Sequence, residues 1–92
     1  MTDREEAVAR EILRIARDEL KLEGEPPAPD EPLGARLDSL ALLSLVVAVE
    51  DRFRVILSDD DAAQARSLAD LARIVAARAA PEHLPARAGS PP

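Results

Sequence analysis

A serine hydroxyl at the start of a predicted helix is the group in this sequence best placed to do chemistry. Ser39 follows Asp38, a residue type that favours the N-cap position, and precedes a long apolar segment. At the first helical position, the serine oxygen lies near backbone N–H groups that have no partner within the helix. These groups and the positive end of the helix dipole favour an anion. Ser39 is therefore a candidate functional residue at a position that favours an anion.

Nucleophilic catalysis by Ser39 has little support from the other residues. His83 is the single histidine and lies in a proline-rich segment, and no Gly-x-Ser-x-Gly motif surrounds Ser39. The run Asp59 to Asp61 lacks the alternating ligands, central glycine and final glutamate of a calcium-binding EF-hand. The chain has no cysteine, which excludes a thiolate metal site and a disulfide framework. We expect neither an enzyme nor a metal site.

Length and composition predict one small helical domain. The 92 residues allow a single modest core, and their apolar side chains are almost all aliphatic, with Phe53 as the only aromatic residue. Strand-rich domains lean on β-branched and aromatic residues, whereas Ala, Leu, Arg and Glu are good helix formers. The net charge of −6 repels nucleic acid and anionic lipid, and the N-terminus lacks the apolar run of a signal peptide. We expect a cytoplasmic monomer that binds neither nucleic acid nor membranes.

Hydrophobic periodicity and capping residues divide the chain into four predicted helices. The first spans residues 3–21 behind a Thr2–Glu5 capping box, and the second runs from the N-cap Asp38 to about Phe53. The third is a short acidic helix from Ser58 to about Ala65. The fourth runs from a Ser67–Asp70 capping box to about Arg78. The segment between the first two helices, residues 22–37, holds six Gly and Pro residues, which predict a long loop anchored by Leu33. We assign residues 1–80 to the domain and residues 81–92 to a disordered Pro/Ala-rich tail.

The second helix is apolar on two sides. On a helical wheel one arc holds the expected core residues, which are Leu42, Leu45, Val46, Val49 and Phe53. A second stripe, formed by Leu40, Leu43 and Val47, lies roughly opposite and is bordered by Ser44, Glu50 and Asp51. A helix of this kind is either buried on both sides or binds a partner.

Asp38-Ser39-Leu40 and the sequence around it resemble the acyl carrier proteins, whose signature Asp-Ser-Leu opens the second helix of a four-helix bundle. The resemblance extends over nearly the whole predicted domain. It includes Pro32-Leu33-Gly34 before the serine, Glu50 and Phe53 late in the second helix, the acidic third helix, and Ser67-Leu68-Ala69-Asp70-Leu71 at the start of the fourth. It implies an all-α four-helix bundle of the acyl-carrier-protein type, here a stand-alone one.

The resemblance also implies a cofactor and partners. Ser39 would take 4′-phosphopantetheine from coenzyme A, and Asp38 would cap the helix and contribute to recognition by the phosphopantetheinyl transferase. The thiol of the arm would hold acyl groups as thioesters, and partner enzymes that load and process acyl or aminoacyl groups would supply the catalytic residues. The residues expected to contact partners are Leu40, Leu43, Val47, Glu50 and Asp51.

The chain departs from the family pattern at three positions. Fatty-acid carriers usually place acids early in the second helix, whereas Ala41 and Ser44 stand at such positions here, and Arg36 replaces a common glycine before the signature. Since charged rims mainly set encounter rate and specificity, we expect a dedicated, more apolar partner. Polyketide or other specialised-metabolite biosynthesis is therefore preferred to housekeeping fatty-acid biosynthesis. A bulky Leu42 is expected to narrow the cavity that shelters long acyl chains.

Several alternatives remain at this point. The chain could be a peptidyl or aminoacyl carrier, or a carrier-like interaction module that is never modified. Ser39 could be an ordinary serine at a helix start, and the second stripe could belong to a wider core or to a dimer interface.

Overall fold

Four α-helices form most of residues 1–85, the part of the chain that the computed structural model describes. They are α1 (Asp3–Asp18), α2 (Ser39–Phe53), α3 (Asp59–Gln64) and α4 (Leu68–Arg78). A 3₁₀ turn at Leu33–Ala35 lies between α1 and α2, and a second one at Pro81–His83 follows α4. Within the described residues there is no strand, and Pro32 and Ser67 form an isolated bridge. The prediction of an all-α bundle with a short third helix and a long first loop is confirmed. None of the described helices is long and apolar enough to cross a membrane.

The capping box at the start of α1 forms as predicted. The Glu5 backbone N–H donates to Thr2 Oγ1 at 3.1 Å, and the Thr2 backbone N–H donates to Glu5 Oε1 at 3.0 Å. The predicted end at residue 21 is wrong: α1 ends at Asp18, and Lys21 beyond it adopts a left-handed conformation with φ of 58°. The Leu22 N–H then turns back and donates to the Ala16 carbonyl oxygen at 3.1 Å. This turn holds the start of the loop against the end of α1.

The core lies where α1, α2 and α4 meet. Its largest completely buried side chains are Val8, Ile12, Ile15, Val49, Phe53, Leu71 and Val75. Helices α1 and α2 run in opposite directions: Glu11 pairs with Arg52 in the last turn of α2 at 2.7 Å, whereas Ala16, further along α1, faces Leu37 just before α2 begins. The C-terminal end of α1 and the N-terminal end of α2 therefore lie at the same end of the bundle.

Backbone hydrogen bonds fasten the long loop to the junction of α3 and α4. The Leu33 N–H donates to the Arg66 carbonyl oxygen at 2.8 Å, and the Ala69 N–H donates to the Pro29 carbonyl oxygen at 2.8 Å. The Leu33 side chain is buried, so the prediction that it anchors the loop is confirmed. The loop is thus held in place immediately before Asp38.

An ion pair between a buried carboxylate and an exposed arginine joins α3 to α4. The Asp61 carboxylate is buried and accepts two hydrogen bonds from the Arg78 guanidinium, at 2.9 and 3.0 Å. It also completes a capping box with Ser58, whose backbone N–H donates to it at 3.2 Å. Asp61 thus has a first role at the start of the predicted third helix. The second role, a bidentate pair with a residue 17 positions away, was not predicted from the sequence.

Acid is expected to weaken this pair. The Arg78 guanidinium and the Ser58 N–H lower the pKa of Asp61 from 3.8 to about 2. Because the folded pKa lies below the unfolded one, the carboxylate stabilises the native state above about pH 4 and loses this contribution as the pH falls through about 2. Asp61→Asn should therefore lower the free energy of unfolding near neutral pH more than below pH ~2. Urea unfolding at the two pH values measures the difference.

Asp60→Asn is the matched control, because Asp60 is exposed on the same helix. It should leave the pH profile close to that of the parent chain. An equal loss of stability at both pH values in Asp61→Asn would contradict an ionic role for Asp61.

Two predictions for the C-terminal half need correction. The Ser67 hydroxyl accepts from the Asp70 N–H at 3.1 Å, but the return bond of a capping box does not form, because the Asp70 carboxylate binds Arg73 instead. The predicted disordered tail begins too early, since residues 81–83 form a 3₁₀ turn and Leu84 packs against the core. Residues 86–92 of that tail lie outside the described residues.

Candidate functional site

Ser39 lies at the first position of α2, as predicted. It follows the buried Leu37 and the N-cap Asp38, whose extended backbone (φ −74°, ψ 175°) turns the chain into the helix. The Asp38 side chain accepts from the Ala41 N–H at 2.8 Å, and its carbonyl oxygen accepts from the Leu42 N–H at 2.9 Å. The predicted N-cap is confirmed, and Ser39 itself is exposed to solvent.

The first turn of α2 is suited to an anion. With Asp38 satisfying the Ala41 N–H, the N–H groups of Ser39 and Leu40 have no acceptor within the helix. The first turns of α1, α3 and α4 each contain an acidic residue, whereas that of α2 contains none. A phosphodiester on the serine oxygen would meet the positive end of the helix dipole, beside the Asp38 carboxylate at the N-cap and with no acid within the first turn itself.

Helix α2 has the two apolar faces that the sequence predicts. Leu45, Val49 and Phe53 are buried, and Leu42 and Val46 are half-buried at the edge of the same face, with Leu42 packed against the core. The core face is therefore confirmed. The expected effect of Leu42 on an acyl cavity stays a prediction.

The second stripe of α2, formed by Leu40, Leu43 and Val47, faces solvent. These side chains are 74%, 60% and 55% exposed, so they do not belong to a wider core of this chain. Leu43 and Val47 border a shallow depression whose remaining walls are Ser44, Ala48 and Asp51. Large apolar side chains clustered on one exposed helix face are typical of a surface that contacts another molecule.

The sequence of the bundle matches one known protein family. Residues 10–75 match the family model described as "Phosphopantetheine attachment site", well over half of the chain. The chain belongs to this family of carrier domains. No curated protein and no solved structure matches it. The match begins within α1 and ends within α4, so it spans all four helices of the bundle.

Membership of the family confirms the expected cofactor and the expectation that the chain is not an enzyme. Domains of this family carry 4′-phosphopantetheine, are modified by a phosphopantetheinyl transferase, and present cargo to biosynthetic enzymes without catalysing reactions themselves. When attached, the group supplies the thiol that holds the cargo. Within residues 1–85 no group of three or more His, Asp or Glu side chains could hold a metal ion.

The two acids at the end of α2 have different surroundings in the carrier domain. Asp51 is exposed beside the stripe, whereas Glu50 is half-buried and its carboxylate accepts from the Leu57 N–H at 2.8 Å. Glu50 therefore fastens the loop between α2 and α3. The proposed contact surface therefore does not include Glu50, although the sequence suggested this residue.

One exposed apolar residue of the carrier domain was not predicted. Ile56 lies in the loop between α2 and α3 and is 88% exposed, the most exposed large hydrophobic residue of the described chain. Val55 before it is buried and Leu57 after it is half-buried. The signal in the sequence was three successive apolar residues in a connecting loop, because in an extended chain neighbouring side chains point to opposite sides.

Arg36 is neutralised within the loop of the carrier domain. Its Nε donates to Glu31 Oε2 at 2.9 Å, and its Nη1 donates to the Glu25 carbonyl oxygen at 2.7 Å. The Ala28 N–H and the Arg36 guanidinium lower the pKa of Glu31. The positive charge of Arg36, three residues before Ser39, is thus paired with a carboxylate, and its hydrogen bonds hold two parts of the loop together.

Proposed function

We propose that the chain is an acyl carrier protein that bears 4′-phosphopantetheine on Ser39 and presents acyl thioesters to the enzymes of a polyketide or other specialised-metabolite pathway. One observation carries the choice of Ser39. It is an exposed serine at the first position of α2, behind an aspartate N-cap and in a first turn without acids. Asp38 positions this turn, and through it the serine oxygen, for the transferase.

The surface beside Ser39 supports the choice of pathway. Leu40 is the next residue, and Leu43 and Val47 continue the exposed stripe along α2 at helical spacing. Asp51 is the only exposed acid on this helix, since Glu50 is tied to the loop that follows. A largely apolar surface with one acid favours a partner that reads shape and apolar contact, in place of one that attracts carriers by a basic patch.

The test is modification by coenzyme A and a broad-specificity phosphopantetheinyl transferase, read by intact-protein mass spectrometry. The parent chain should gain the mass of one phosphopantetheine group, and Ser39→Ala should gain none. The hydroxyl is the only group removed in that variant, so its fold should be unchanged.

Ser44→Ala is the matched control, because Ser44 lies on the same helix and borders the stripe. It should be modified to the same extent as the parent chain. A parent chain that stays unmodified with several transferases would favour the alternative of an interaction module that is never loaded. Modification that persists in Ser39→Ala would contradict the choice of residue.

A further inference from the structure

Arg36 makes the hydrogen bonds that tie the two halves of the long loop together. Its Nη1 donates to the Glu25 carbonyl oxygen at 2.7 Å, its Nε donates to Glu31 Oε2 at 2.9 Å, and its Nη2 donates to Glu31 Oε1 at 3.4 Å. We call these three bonds the Arg36 clasp. Within the described chain, the bond to the Glu25 oxygen is the only hydrogen bond that residues 23–27 make. The clasp therefore holds this part of the loop in place.

The carboxylate that Arg36 binds is itself held by the backbone around it. The Glu31 N–H donates to the Ala28 carbonyl oxygen at 3.0 Å, and the Ala28 N–H donates to Glu31 Oε1 at 3.1 Å. Two residues before Glu31, the Pro29 carbonyl oxygen accepts from the Ala69 N–H of α4 at 2.8 Å. The clasp thus fastens Arg36 to a part of the loop that is bonded to the helical bundle.

Each residue between the clasp and Ser39 is fixed in turn. The N–H groups of Arg36 and Leu37 both donate to the Leu33 carbonyl oxygen, at 3.0 and 2.9 Å. The Leu37 side chain is buried, and Asp38 is the N-cap of α2. By contrast, no hydrogen bond within residues 1–85 holds the Ser39 side chain. The position of the serine oxygen therefore depends on the backbone that leads into the helix.

We propose that Arg36 is a positioning residue for the modification of Ser39: the clasp fixes the residues before the serine, so that its oxygen is already in place when the transferase binds. The inference rests on the proposed function for the identity of the modified residue. In that reaction the Ser39 oxygen attacks the phosphorus of coenzyme A next to the pantetheine. A new P–O bond forms, the pyrophosphate P–O bond breaks, and the adenosine bisphosphate half leaves. The hydroxyl proton passes to a base of the transferase.

The role of Arg36 is geometric and does not depend on its free charge. The guanidinium is paired with Glu31, so it offers little net charge to an approaching partner. A nucleophile on a fixed backbone is aligned for attack in a larger fraction of encounters than one on a mobile loop. Arg36 therefore contributes to the rate of the chemical step through the backbone, without touching the reacting atoms.

Arg36→Ala should lower the maximal rate of modification about tenfold, because a serine that moves is aligned less often for attack. The transferase concentration that gives half of this rate should change less than about twofold, because the exposed stripe on α2 does not depend on the clasp. The measurement is a single-turnover experiment with saturating coenzyme A and transferase in excess, quenched at intervals and read by mass spectrometry. Arg36 is 40% exposed, so the variant should remain folded.

Glu31→Ala separates positioning from a direct effect of charge. The variant removes one acceptor of the clasp and leaves the Arg36 charge unpaired. Positioning predicts a lower maximal rate, and the double variant with Arg36→Ala should be no slower than Arg36→Ala alone, because both changes break the same contact. A maximal rate above that of the parent chain in Glu31→Ala would overturn the proposal, since an unpaired positive charge would then speed the reaction.

Amide hydrogen exchange on the unmodified chain examines the clasp without the transferase. The Leu37 N–H should exchange at least about threefold faster in Arg36→Ala than in the parent chain. Arg10→Ala is the matched control, because Arg10 is an exposed arginine on α1. It should match the parent chain in both the exchange of Leu37 and the rate of modification.

Failure of this proposal can be told apart from failure of the proposed function. If the parent chain is not modified at Ser39, the proposed function fails and the positioning role falls with it. If the parent chain is modified and Arg36→Ala reaches the same maximal rate, the positioning role alone is overturned and the carrier function stands. A lower rate in Arg36→Ala with unchanged exchange at Leu37 would also overturn it, since the backbone before Ser39 would then not carry the effect.

Discussion

Phe53→Ala is expected to lower the free energy of unfolding by about 3 to 5 kcal/mol, a large part of the stability of a domain this small. Phe53 is the sole aromatic residue of the chain, ends α2, and is completely buried where α1, α2 and α4 meet. Truncation removes the apolar area it buries and leaves a hole that aliphatic neighbours fill only partly. Urea unfolding followed by circular dichroism measures the loss. The method suits a chain that has no tryptophan or tyrosine to report by fluorescence.

Ile56→Ala is the control for this prediction, because it removes a large apolar side chain that is 88% exposed. Its effect on stability should stay within about 0.5 kcal/mol. If Phe53→Ala fails to fold at all, Phe53→Leu should show a smaller loss on the same scale. A loss below 1 kcal/mol in Phe53→Ala would mean that the core does not depend on this ring.

Leu43→Asp is expected to lower the kcat/KM of the phosphopantetheinyl transferase by about tenfold or more, the effect of losing an apolar contact at the centre of an interface. Leu43 is 60% exposed and lies between Leu40 and Val47 on the stripe. Because the side chain is already in solvent, the free energy of unfolding should change little. Steady-state modification rates and urea unfolding, measured on the same protein, separate the two effects.

Ala77→Asp supplies the matched change of charge, since Ala77 is exposed on α4 away from the stripe. It should leave kcat/KM close to the parent value. The proposed apolar character of the interface adds a second criterion. The rate on the parent chain should fall only slightly as salt is raised, because few charged pairs contribute to encounter. A steep fall with salt would contradict the inference of a partner that recognises mainly apolar contacts.

Local sequence patterns predicted most of the fold because helix starts are local events. The caps Thr2, Asp38 and Ser58 bind backbone groups within three residues of themselves, and their positions could be placed from residue type alone. The anchor Leu33 was predictable for a different reason, since it is the one large apolar residue near the middle of a Gly- and Pro-rich segment.

Contacts between residues far apart in the sequence could not be predicted from local patterns. The Asp61–Arg78 pair joins residues 17 apart, and the Glu11–Arg52 pair joins residues 41 apart, so neither follows from spacing on one helix. Glu50 was assigned to the surface because it borders the stripe on a helical wheel, but a wheel does not show that the next loop returns to place the Leu57 N–H beside it. The left-handed turn at Lys21 was likewise missed, because lysine is not a residue type that signals a helix end in this way.

The features of the candidate site likewise differ in whether local sequence patterns predict them. Ser39, Asp38 and the exposed stripe could be predicted because they depend on one helix and its first turn. The pairing of Arg36 could not, because its partners Glu25 and Glu31 lie in a loop whose path does not follow from residue spacing.

The opposite directions of α1 and α2 determine through which end of the bundle this protein should be attached to a solid support. Met1 lies at the N-terminal end of α1, which is the end of the bundle far from Ser39. The length of α1, 16 residues at 1.5 Å per residue, separates the two sites by about 24 Å along the bundle. A purification tag, a biotin or a bead linkage attached at Met1 therefore points away from the serine and its partners, and immobilised protein prepared in this way should remain open to loading.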